Sequence, residues 1–252
     1  MQVLTLTSDI GISDPYAAQL WGTLLRELPE TKLVELNLQL PPFNLVRSAF
    51  IFRESYRAYP KGCLHLVTLY DRPDAKVGMV FFQHEGYYFL GPDNGFFSLV
   101  FPNLDLPYFG KPFGEDHIYA SYAVVARQIL AQEKLSDIGS VVALRRGFLV
   151  QPIEQMSEIR ATVVHTDRFG NVFTNLRRDT FERIGRDRPF SLYFKRHDPI
   201  RTISQFYQEV AVGNPLAKFN NEVLEIAVNS GDAATLLGLR VDDVVLMVFE
   251  NT

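Results

Sequence analysis

The stretch that decides the fold lies near the start of the chain, where residues 3–25 read VLTLTSDIGISDPYAAQLWGTLL. Val3–Thr7 predicts a short strand, and a polar turn that contains Gly11 follows it. Asp14 stands at the N-cap position and Pro15 at the first helical position, and leucines then recur at helical spacing. This order of strand, turn and helix predicts the opening unit of an α/β domain.

Outward from this unit, strands and helices continue to alternate to about residue 150. Leu64–Leu69 is almost continuously apolar, which is typical of a strand buried on both faces, and His84–Gly86 predicts the turn of a hairpin. The predicted strands are Lys32–Leu36, Leu64–Leu69, Val77–Phe82 and Tyr87–Leu90, and the predicted helices are Leu45–Tyr56 and Ile118–Glu133. The alternation predicts an α/β layer domain.

The remaining residues have a different character, with short strands separated by turn signals. The predicted strands are Arg160–Thr166, Val172–Asn175, Ser191–Phe194, Val223–Val228 and Asp243–Phe249, and one short helix is predicted near Ala233–Leu237. This pattern favours a small antiparallel barrel or sandwich. We place the boundary near Gln151-Pro152, so the predicted domains are residues 1–152 and 153–252.

Composition excludes several classes of protein. The 252 residues are 47% hydrophobic and 21% charged, which excludes wholesale disorder, and a net charge of −4 does not favour a nucleic-acid partner. No apolar run approaches the roughly 18 residues that span a bilayer, and no secretory signal is visible. The single cysteine, Cys63, excludes an internal disulfide framework. We therefore expect a cytoplasmic protein without membrane attachment.

Common metal and cofactor motifs are missing from the sequence. The five histidines form neither an H-x-H nor an H-E-x-x-H pair, so no metal site is expected. The phosphate-binding pattern G-x-x-x-x-G-K-[ST], the dinucleotide pattern G-x-G-x-x-G and the hydrolase pattern G-x-S-x-G are also missing. The sequence thus predicts no bound cofactor.

A basic segment covers residues 168–201, which contain nine Lys or Arg and four Asp or Glu. One interpretation is a surface for an anionic partner. The other is an ordinary solvated or subunit-facing surface, which such a segment forms more often.

Two turns in the first half carry side chains suited to binding a ligand. Asp9 follows the first strand, where open α/β sheets bind ligands, and its carboxylate is able to accept two hydrogen bonds from a sugar diol. Alternatively, Asp9 stabilises its own turn, as Asp14 caps the helix that follows. Gly91–Gly95 reads Gly-Pro-Asp-Asn-Gly and predicts either a loop around a ligand or a plain tight turn.

The segment Asp167–Asn175 is denser in polar groups. The side-chain amide of Asn171 offers the donor and acceptor pair that adenine requires, and Asp167 has the charge to bind an ammonium group. The alternative is a hairpin turn with Gly170-Asn171 at its tip.

Taken together and in this order, these pieces resemble one family, the S-adenosyl-L-methionine hydroxide adenosyltransferases with their fluorinase and chlorinase relatives. The family patterns TTDFG, FPxGT, GPDNG, D-x-FGN-x-x-TN and LEIAVN-x-G-x-A match residues across almost the whole chain. These residues are Thr7–Gly11 followed by Asp14–Tyr16, Tyr59–Cys63, Gly91–Gly95, Asp167–Asn175 and Leu224–Ala233.

The resemblance implies an N-terminal α/β sandwich domain followed by a small C-terminal antiparallel β-barrel. It also implies a homotrimer with its site at the subunit interface, between one chain's N-terminal domain and a neighbour's C-terminal domain. The implied reaction is displacement of methionine from the ribose 5′ carbon of S-adenosyl-L-methionine, by water in hydrolases and by a halide in the relatives.

The resemblance also implies roles for individual residues. Asp9 would hold the ribose diol, with the aromatic ring of Phe43 against the substrate. Asp167 would meet the methionine amino group, and Asn171 would bind adenine beside Phe173. Four residues of the same motifs complete the predicted binding set, namely Asp14, Asp93, Asn94 and Phe169.

The sequence departs from the family where water is activated. Tyr70 stands where the hydrolases have an aspartate, with Asp71 one residue on, and no arginine occurs near Val77-Gly78. The family histidine falls on Gly114, while His117 lies nearby but out of register. Tyr70, Asp71 and His117 are therefore the candidate catalytic residues.

Two further departures concern the choice of nucleophile and ligand. The halogenating relatives have a tyrosine at the position of Tyr70, but Pro73 and Glu115 fall near the halide pocket, where a carboxylate would repel a halide. Asn220-Asn221 replaces the Ser-Arg pair that holds the methionine carboxylate in those relatives. The alternative hypothesis is therefore a non-catalytic protein that binds adenosine or S-adenosyl-L-methionine.

Overall fold

The computed structural model describes residues 2–69, 78–114, 117–148 and 150–250. The chain divides into two compact units, Met1–Phe148 and Leu149–Thr252, and the boundary predicted near Gln151-Pro152 lies a few residues from this division. Within the described ranges, no helix has the length and apolar character needed to cross a membrane.

The first unit is an α/β structure built on one seven-stranded sheet, with strand order β2-β1-β3-β5-β4-β6-β7. Its strands are β1 (Val3–Ser8), β2 (Lys32–Asn37), β3 (Leu64–Thr68), β4 (Met79–His84), β5 (Tyr87–Pro92), β6 (Tyr108–Lys111) and β7 (Ser140–Val142). Its helices are α1 (Pro15–Glu27), α2 (Leu45–Ser55), α3 (Phe96–Val100), α4 (Ile118–Leu130) and α5 (Leu135–Ile138). The predicted hairpin is confirmed, because β4 and β5 pair antiparallel.

The strand order creates a switch point in the middle of this sheet. β1 pairs in parallel with β2 on one side and with β3 on the other, and β3 pairs in parallel with β5. The chain leaves β1 toward β2 but leaves β3 toward β5, so the connections diverge at the carboxyl ends of β1 and β3. Open α/β sheets bind their ligands in the crevice at such a point.

Successive residues of β3 point to opposite faces of the sheet and pack against different groups. Leu64 and Leu66 of β3 join the aliphatic core that includes α1 and α4, against which Trp21 is half-buried. His65, between these leucines, lies among aromatic rings, stacked on Phe89 at 5.3 Å and edge-on to Phe52 of α2 at 5.7 Å. Both faces of the central strands are therefore covered, as the apolar run predicted.

The second unit is built on antiparallel strands that follow the order β11-β14-β9-β10-β13-β12, with β8 paired to β9. The strands are β8 (Ile153–Glu154), β9 (Glu158–Thr166), β10 (Val172–Arg177), β11 (Phe190–Tyr193), β12 (Pro215–Asn220), β13 (Val223–Val228) and β14 (Val244–Phe249). The α-helices described in this unit are α6 (Arg178–Gly185) and α7 (Ala233–Leu237). The prediction of a single short helix in this unit was wrong. A second helix, α6, lies within the basic segment of residues 168–201.

The sheet of the second unit curls, and a connecting segment contacts both of its outer strands. Ile200 forms two backbone hydrogen bonds with Leu192 of β11, and Ser204 donates from its backbone N–H to the carbonyl of Ala217 in β12. The curled antiparallel sheet encloses one apolar core. The predicted fold class, α/β followed by an antiparallel barrel-like unit, is confirmed.

Candidate functional site

The carboxyl ends of the parallel strands bring several predicted residues to one edge of the first sheet. Asp9 follows β1, Phe43 lies between β2 and α2, and Asp93 and Asn94 follow β5. Tyr70 and Asp71, the predicted catalytic residues after β3, lie outside the described residues, as do Pro73 and Glu115. Their roles stay predictions.

The turn that carries Asp9 is held to the strands on both sides. Ser8 Oγ donates to the carbonyl of Thr68 at 3.0 Å and accepts from the Ile10 backbone N–H at 3.3 Å. Gly11, with φ at +70°, donates to the carbonyl of Leu38 at 2.8 Å. Asp9 itself is half-buried. These bonds hold the backbone on both sides of Asp9 at the switch point.

Phe43 has an unusual backbone and an exposed ring. Its φ is +61°, in the left-handed region that residues other than glycine rarely adopt, and its exposed fraction is 76%. The next residue, Asn44, caps α2 by accepting a hydrogen bond from the Arg47 N–H at 3.0 Å. A strained backbone that exposes a large apolar ring at the carboxyl ends of parallel strands is a common feature of binding sites.

Two predicted residues, Asp14 and His117, occupy helix N-cap positions. Asp14 precedes α1 and is exposed, but its side chain makes no capping hydrogen bond. His117 precedes α4, and its Nδ1 accepts from the Tyr119 backbone N–H at 3.4 Å. This bond orients the imidazole ring at the start of α4.

The Gly-Pro-Asp-Asn-Gly turn uses its polar side chains to hold the chain around it. Asn94 Nδ2 donates to the carbonyl of Leu69 at 2.8 Å, and Asn94 Oδ1 accepts from the Phe96 N–H at 3.1 Å. Asp93 Oδ1 accepts from the Arg145 N–H at 2.8 Å. Asn94 therefore holds Leu69, the residue that follows β3, against this turn.

In the second unit, Asp167 organises the loop that joins β9 to β10. Its Oδ1 accepts from the backbone N–H groups of Phe169 at 2.9 Å and Asn171 at 2.8 Å. Its Oδ2 accepts from Asn171 Nδ2 at 3.0 Å. The loop is therefore a hairpin turn built by its own aspartate, with the Phe169 ring 77% exposed.

Gly170 lets this loop dock against the start of α7. Its φ is +83°, and a Cβ atom at this position would collide with Asp232, the N-cap residue of α7. The Gly170 carbonyl accepts from the Ala234 N–H at 2.9 Å. No residue with a side chain fits here without displacing the capping carboxylate.

A row of side chains crosses three strands beside this loop, and sequence analysis missed most of it. Lys218 of β12 pairs with Glu225 of β13, and Glu225 pairs with Phe173 of β10, whose ring lies 5.8 Å from that of His165. The signal was present in the sequence, since Glu225 is a charged residue within an otherwise apolar strand. A charge in such a position is rarely fully buried without partners.

The Glu225 side chain is fully buried, and its carboxylate accepts hydrogen bonds from two other side chains. Its exposed fraction is 0%, and its carboxylate accepts from the Tyr207 hydroxyl at 2.7 Å and from Asn220 Nδ2 at 3.0 Å. Burial raises the pKa of Tyr207 well above its usual value, and the hydrogen bond to Glu225 and the negative charges of Glu225 and Asp167 add to this. Tyr207 therefore stays a hydroxyl donor and lies within electrostatic range of Asp167.

Comparison with protein-family models identifies the chain. The model of the SAM hydroxide adenosyltransferase N-terminal domain matches residues 4–139, and that of the C-terminal domain matches residues 161–246. The chain belongs to the SAM hydroxide adenosyltransferase family. The resemblance drawn from the sequence motifs is thereby confirmed.

Relatives in this SAM hydroxide adenosyltransferase family carry a common name. Proteins named (R)-S-adenosyl-L-methionine hydrolase from Thermus thermophilus and Methanocaldococcus jannaschii are 28% and 27% identical to this chain. The Thermus match covers 95% of this chain and 97% of the relative, and the Methanocaldococcus match covers 71% and 68%. A third protein of this name, from Salinispora tropica, is 25% identical and is covered to 95% in both chains.

Solved structures share the fold of this SAM hydroxide adenosyltransferase family member. An uncharacterized conserved protein from Thermotoga maritima aligns with a TM-score of 0.83 at 21% identity, over 98% of this chain and 100% of its own. A conserved hypothetical protein from Thermus thermophilus aligns with a TM-score of 0.75 at 27% identity, with the same coverage.

The described residues of this family member hold no group of three or more His, Cys, Asp or Glu side chains arranged to bind a metal ion. The carboxylates of Asp93 and Asp167 instead accept hydrogen bonds from nearby backbone N–H groups.

Proposed function

We propose that the protein hydrolyses S-adenosyl-L-methionine to adenosine and L-methionine. The observation that carries the proposal is the family match across both units, together with curated relatives named (R)-S-adenosyl-L-methionine hydrolase that align along nearly the full chain. The placement of Asp9 at the switch point of the parallel sheet supports it independently.

The proposed reaction is an in-line displacement at a saturated carbon. The oxygen of water forms a bond to the ribose 5′ carbon while the bond from that carbon to the sulfonium sulfur breaks. The bonding electron pair stays on sulfur, which becomes the neutral thioether of methionine, and the proton released from water passes to a nearby base or to solvent. Because the sulfonium is already a good leaving group, the protein mainly aligns water and excludes competing solvent.

We assign the binding roles from the family resemblance of the sequence motifs. Asp9 binds the ribose diol, with Phe43 against the sugar edge. Asn171 and Phe173 bind the purine, and Asp167 attracts the ammonium group. Asp14, Asp93, Asn94 and Phe169 shape the surroundings of these groups, and Tyr70, Asp71 and His117 are proposed to orient or deprotonate water.

The direct test is incubation of the purified protein with S-adenosyl-L-methionine, with and without chloride, followed by chromatography. We expect adenosine and methionine in equal amounts and no 5′-chlorinated nucleoside. Adenosine binding by calorimetry without turnover would favour the non-catalytic binding protein instead. Absence of both turnover and binding would contradict the nucleoside site itself.

We further propose that the protein acts in the cytoplasm as a homotrimer, in which the first unit of one chain and the second unit of a neighbour complete each site. Support comes from the family resemblance and from the separate placement of Asp9 and Asn171 in different units.

Mixing two inactive variants tests this arrangement. Asp9→Asn and Asn171→Ala chains are co-expressed in equal amounts and are expected to regain about a quarter of wild-type activity. In random trimers, about a quarter of the sites combine a first unit that keeps Asp9 with a neighbour's second unit that keeps Asn171. The measurement is the rate of adenosine formation by the co-purified mixture. Variants mixed after separate purification, without subunit exchange, provide the control. A co-expressed mixture as inactive as either variant alone would contradict the shared site.

A further inference from the structure

Lys218 places a positive charge over the Tyr207 ring, on the strand next to that of Glu225. Its Nζ lies 4.4 Å from the centroid of the Tyr207 ring, an arrangement typical of a cation–π contact. In the described part of the chain, no Asp or Glu forms an ion pair with this lysine. Its cross-strand neighbour Glu225 instead binds Tyr207 and Asn220.

The buried carboxylate of Glu225 fixes the position of this positive charge. A fully buried carboxylate is costly unless hydrogen bonds satisfy it, so the bonds from Tyr207 and Asn220 are firmly held. The Tyr207 ring is thereby locked in the place where it supports the Lys218 ammonium. Lys218 itself is half-buried, with its ammonium group over the Tyr207 ring.

The spacing along the row matches a ligand with two distinct ends. Lys218, Glu225 and Phe173 lie on three adjacent strands, so Lys218 and Phe173 are separated by two strand spacings, roughly 10 Å. Phe173 is the residue proposed to lie beside the purine. In an extended S-adenosyl-L-methionine molecule, the amino-acid group lies a comparable distance from the purine.

The charges around Lys218 indicate the class of anion. Glu225 and Asp167 carry negative charges nearby, and these would repel a dianion such as a phosphate group. A zwitterion fits better, because its ammonium group is attracted by Asp167 while its carboxylate is attracted by Lys218. An α-amino acid group has this pair of charges.

We propose that Lys218 binds the carboxylate of the amino-acid part of the substrate and thereby selects S-adenosyl-L-methionine over 5′-substituted adenosines that lack a carboxylate. This inference rests on the proposed function, since it names the group that recognises one end of that substrate. Glu225 and Tyr207 act as positioning residues for Lys218.

The experiment compares two ligands that differ only in the carboxylate. S-adenosyl-L-methionine and its decarboxylated form are titrated by calorimetry into the full-length wild-type protein and into Lys218→Met, Lys218→Arg and Lys195→Met. Lys218→Met removes the charge but keeps an unbranched side chain, and Lys218→Arg restores the charge. Lys195 pairs with Asp243 and is the other lysine of the second unit, so Lys195→Met is the matched control for lost surface charge.

We expect Lys218→Met to weaken binding of S-adenosyl-L-methionine at least tenfold and to change binding of the decarboxylated form by less than twofold. Lys218→Arg and Lys195→Met are expected to stay close to wild type. Equal weakening for both ligands, or none for either, overturns the inference. Wild-type adenosine formation is measured alongside: binding without turnover refutes only the hydrolase, whereas no binding of either ligand by wild type refutes both proposals.

Discussion

Asp9→Asn is expected to lower kcat/KM for S-adenosyl-L-methionine by about a hundredfold, because an amide replaces one of the two acceptor oxygens proposed to bind the ribose diol. Hydrogen bonds to a charged acceptor contribute about 1.5–3 kcal/mol each, and about 2.7 kcal/mol corresponds to a hundredfold change in rate. The measurement is the initial rate of adenosine formation over a range of substrate concentrations.

The control for this prediction separates loss of the site from loss of the fold. Asp105→Asn makes the same chemical change at an exposed position of the same unit and is expected to retain wild-type kinetics. The thermal unfolding midpoint of Asp9→Asn is expected to stay within a few degrees of wild type. A change in kcat/KM of less than fivefold would remove Asp9 from the binding site.

Acidification is expected to destabilise the first unit by about 3 kcal/mol between pH 7 and pH 4 through His65 alone. Burial lowers the pKa of His65 from its usual value of 6.5 to about 4. Between these two values the unfolded chain binds a proton that the folded chain does not, so the free energy of unfolding falls as the pH falls. Well above pH 6.5 His65 is neutral in both states, so its contribution to the pH dependence disappears there.

The surroundings of His65 explain why its charged form is excluded. The exposed fraction of the side chain is 0%, its Nδ1 shares a 2.7 Å hydrogen bond with Thr5 Oγ1, and no described residue contacts Nε2 with a hydrogen bond. Aromatic rings, including those of Phe52 and Phe89, surround it. A second proton would therefore be buried without an acceptor.

Urea unfolding followed by tryptophan fluorescence measures this effect, because the single tryptophan, Trp21, lies in the first unit. Between pH 6.5 and pH 4, unfolding of His65→Gln is expected to take up about one proton fewer than unfolding of the wild type. Its free energy of unfolding therefore falls less steeply with pH, whatever its value at pH 7. His197→Gln, at an exposed histidine of the other unit, is expected to keep the wild-type dependence. Equal pH slopes for wild type and His65→Gln would show that His65 is not the linked group.

Hydrophobic pattern predicted the centre of the first unit well, because burial leaves a strong signal there. The run Leu64–Leu69 predicted a strand covered on both faces, and β3 lies in the middle of the sheet with all five residues buried. The polar turn after β1 predicted the place of Asp9, since the end of a central parallel strand is set by the chain order alone.

Elements with weak patterns were not predicted. Pro215–Asn220 begins with a proline and includes lysine and asparagine, which hid β12, although an outer strand tolerates such residues. α6 has only eight residues, too few for helical periodicity to stand out among the charges of Arg178–Gly185.

The candidate site shows the same division between local and long-range information. Asp167 and Asn171 form one loop, so their relation was visible in the sequence as a motif. Lys218 and Tyr207 come together only because β12 pairs with β13 in a particular register, with Lys218 opposite the Glu225 that binds Tyr207. Register depends on the whole curled sheet, which no short motif encodes.

The contacts of the segment around Ile200 and Ser204 also bear on how these molecules behave at high concentration. Outer strands with unpaired backbone groups invite another chain to add to them, which leads to aggregation. Here β11 and β12 each have an outward backbone group already bonded, through Leu192 and Ala217. Association through this unit is thus directed to side-chain surfaces, and uncontrolled growth by strand addition is disfavoured.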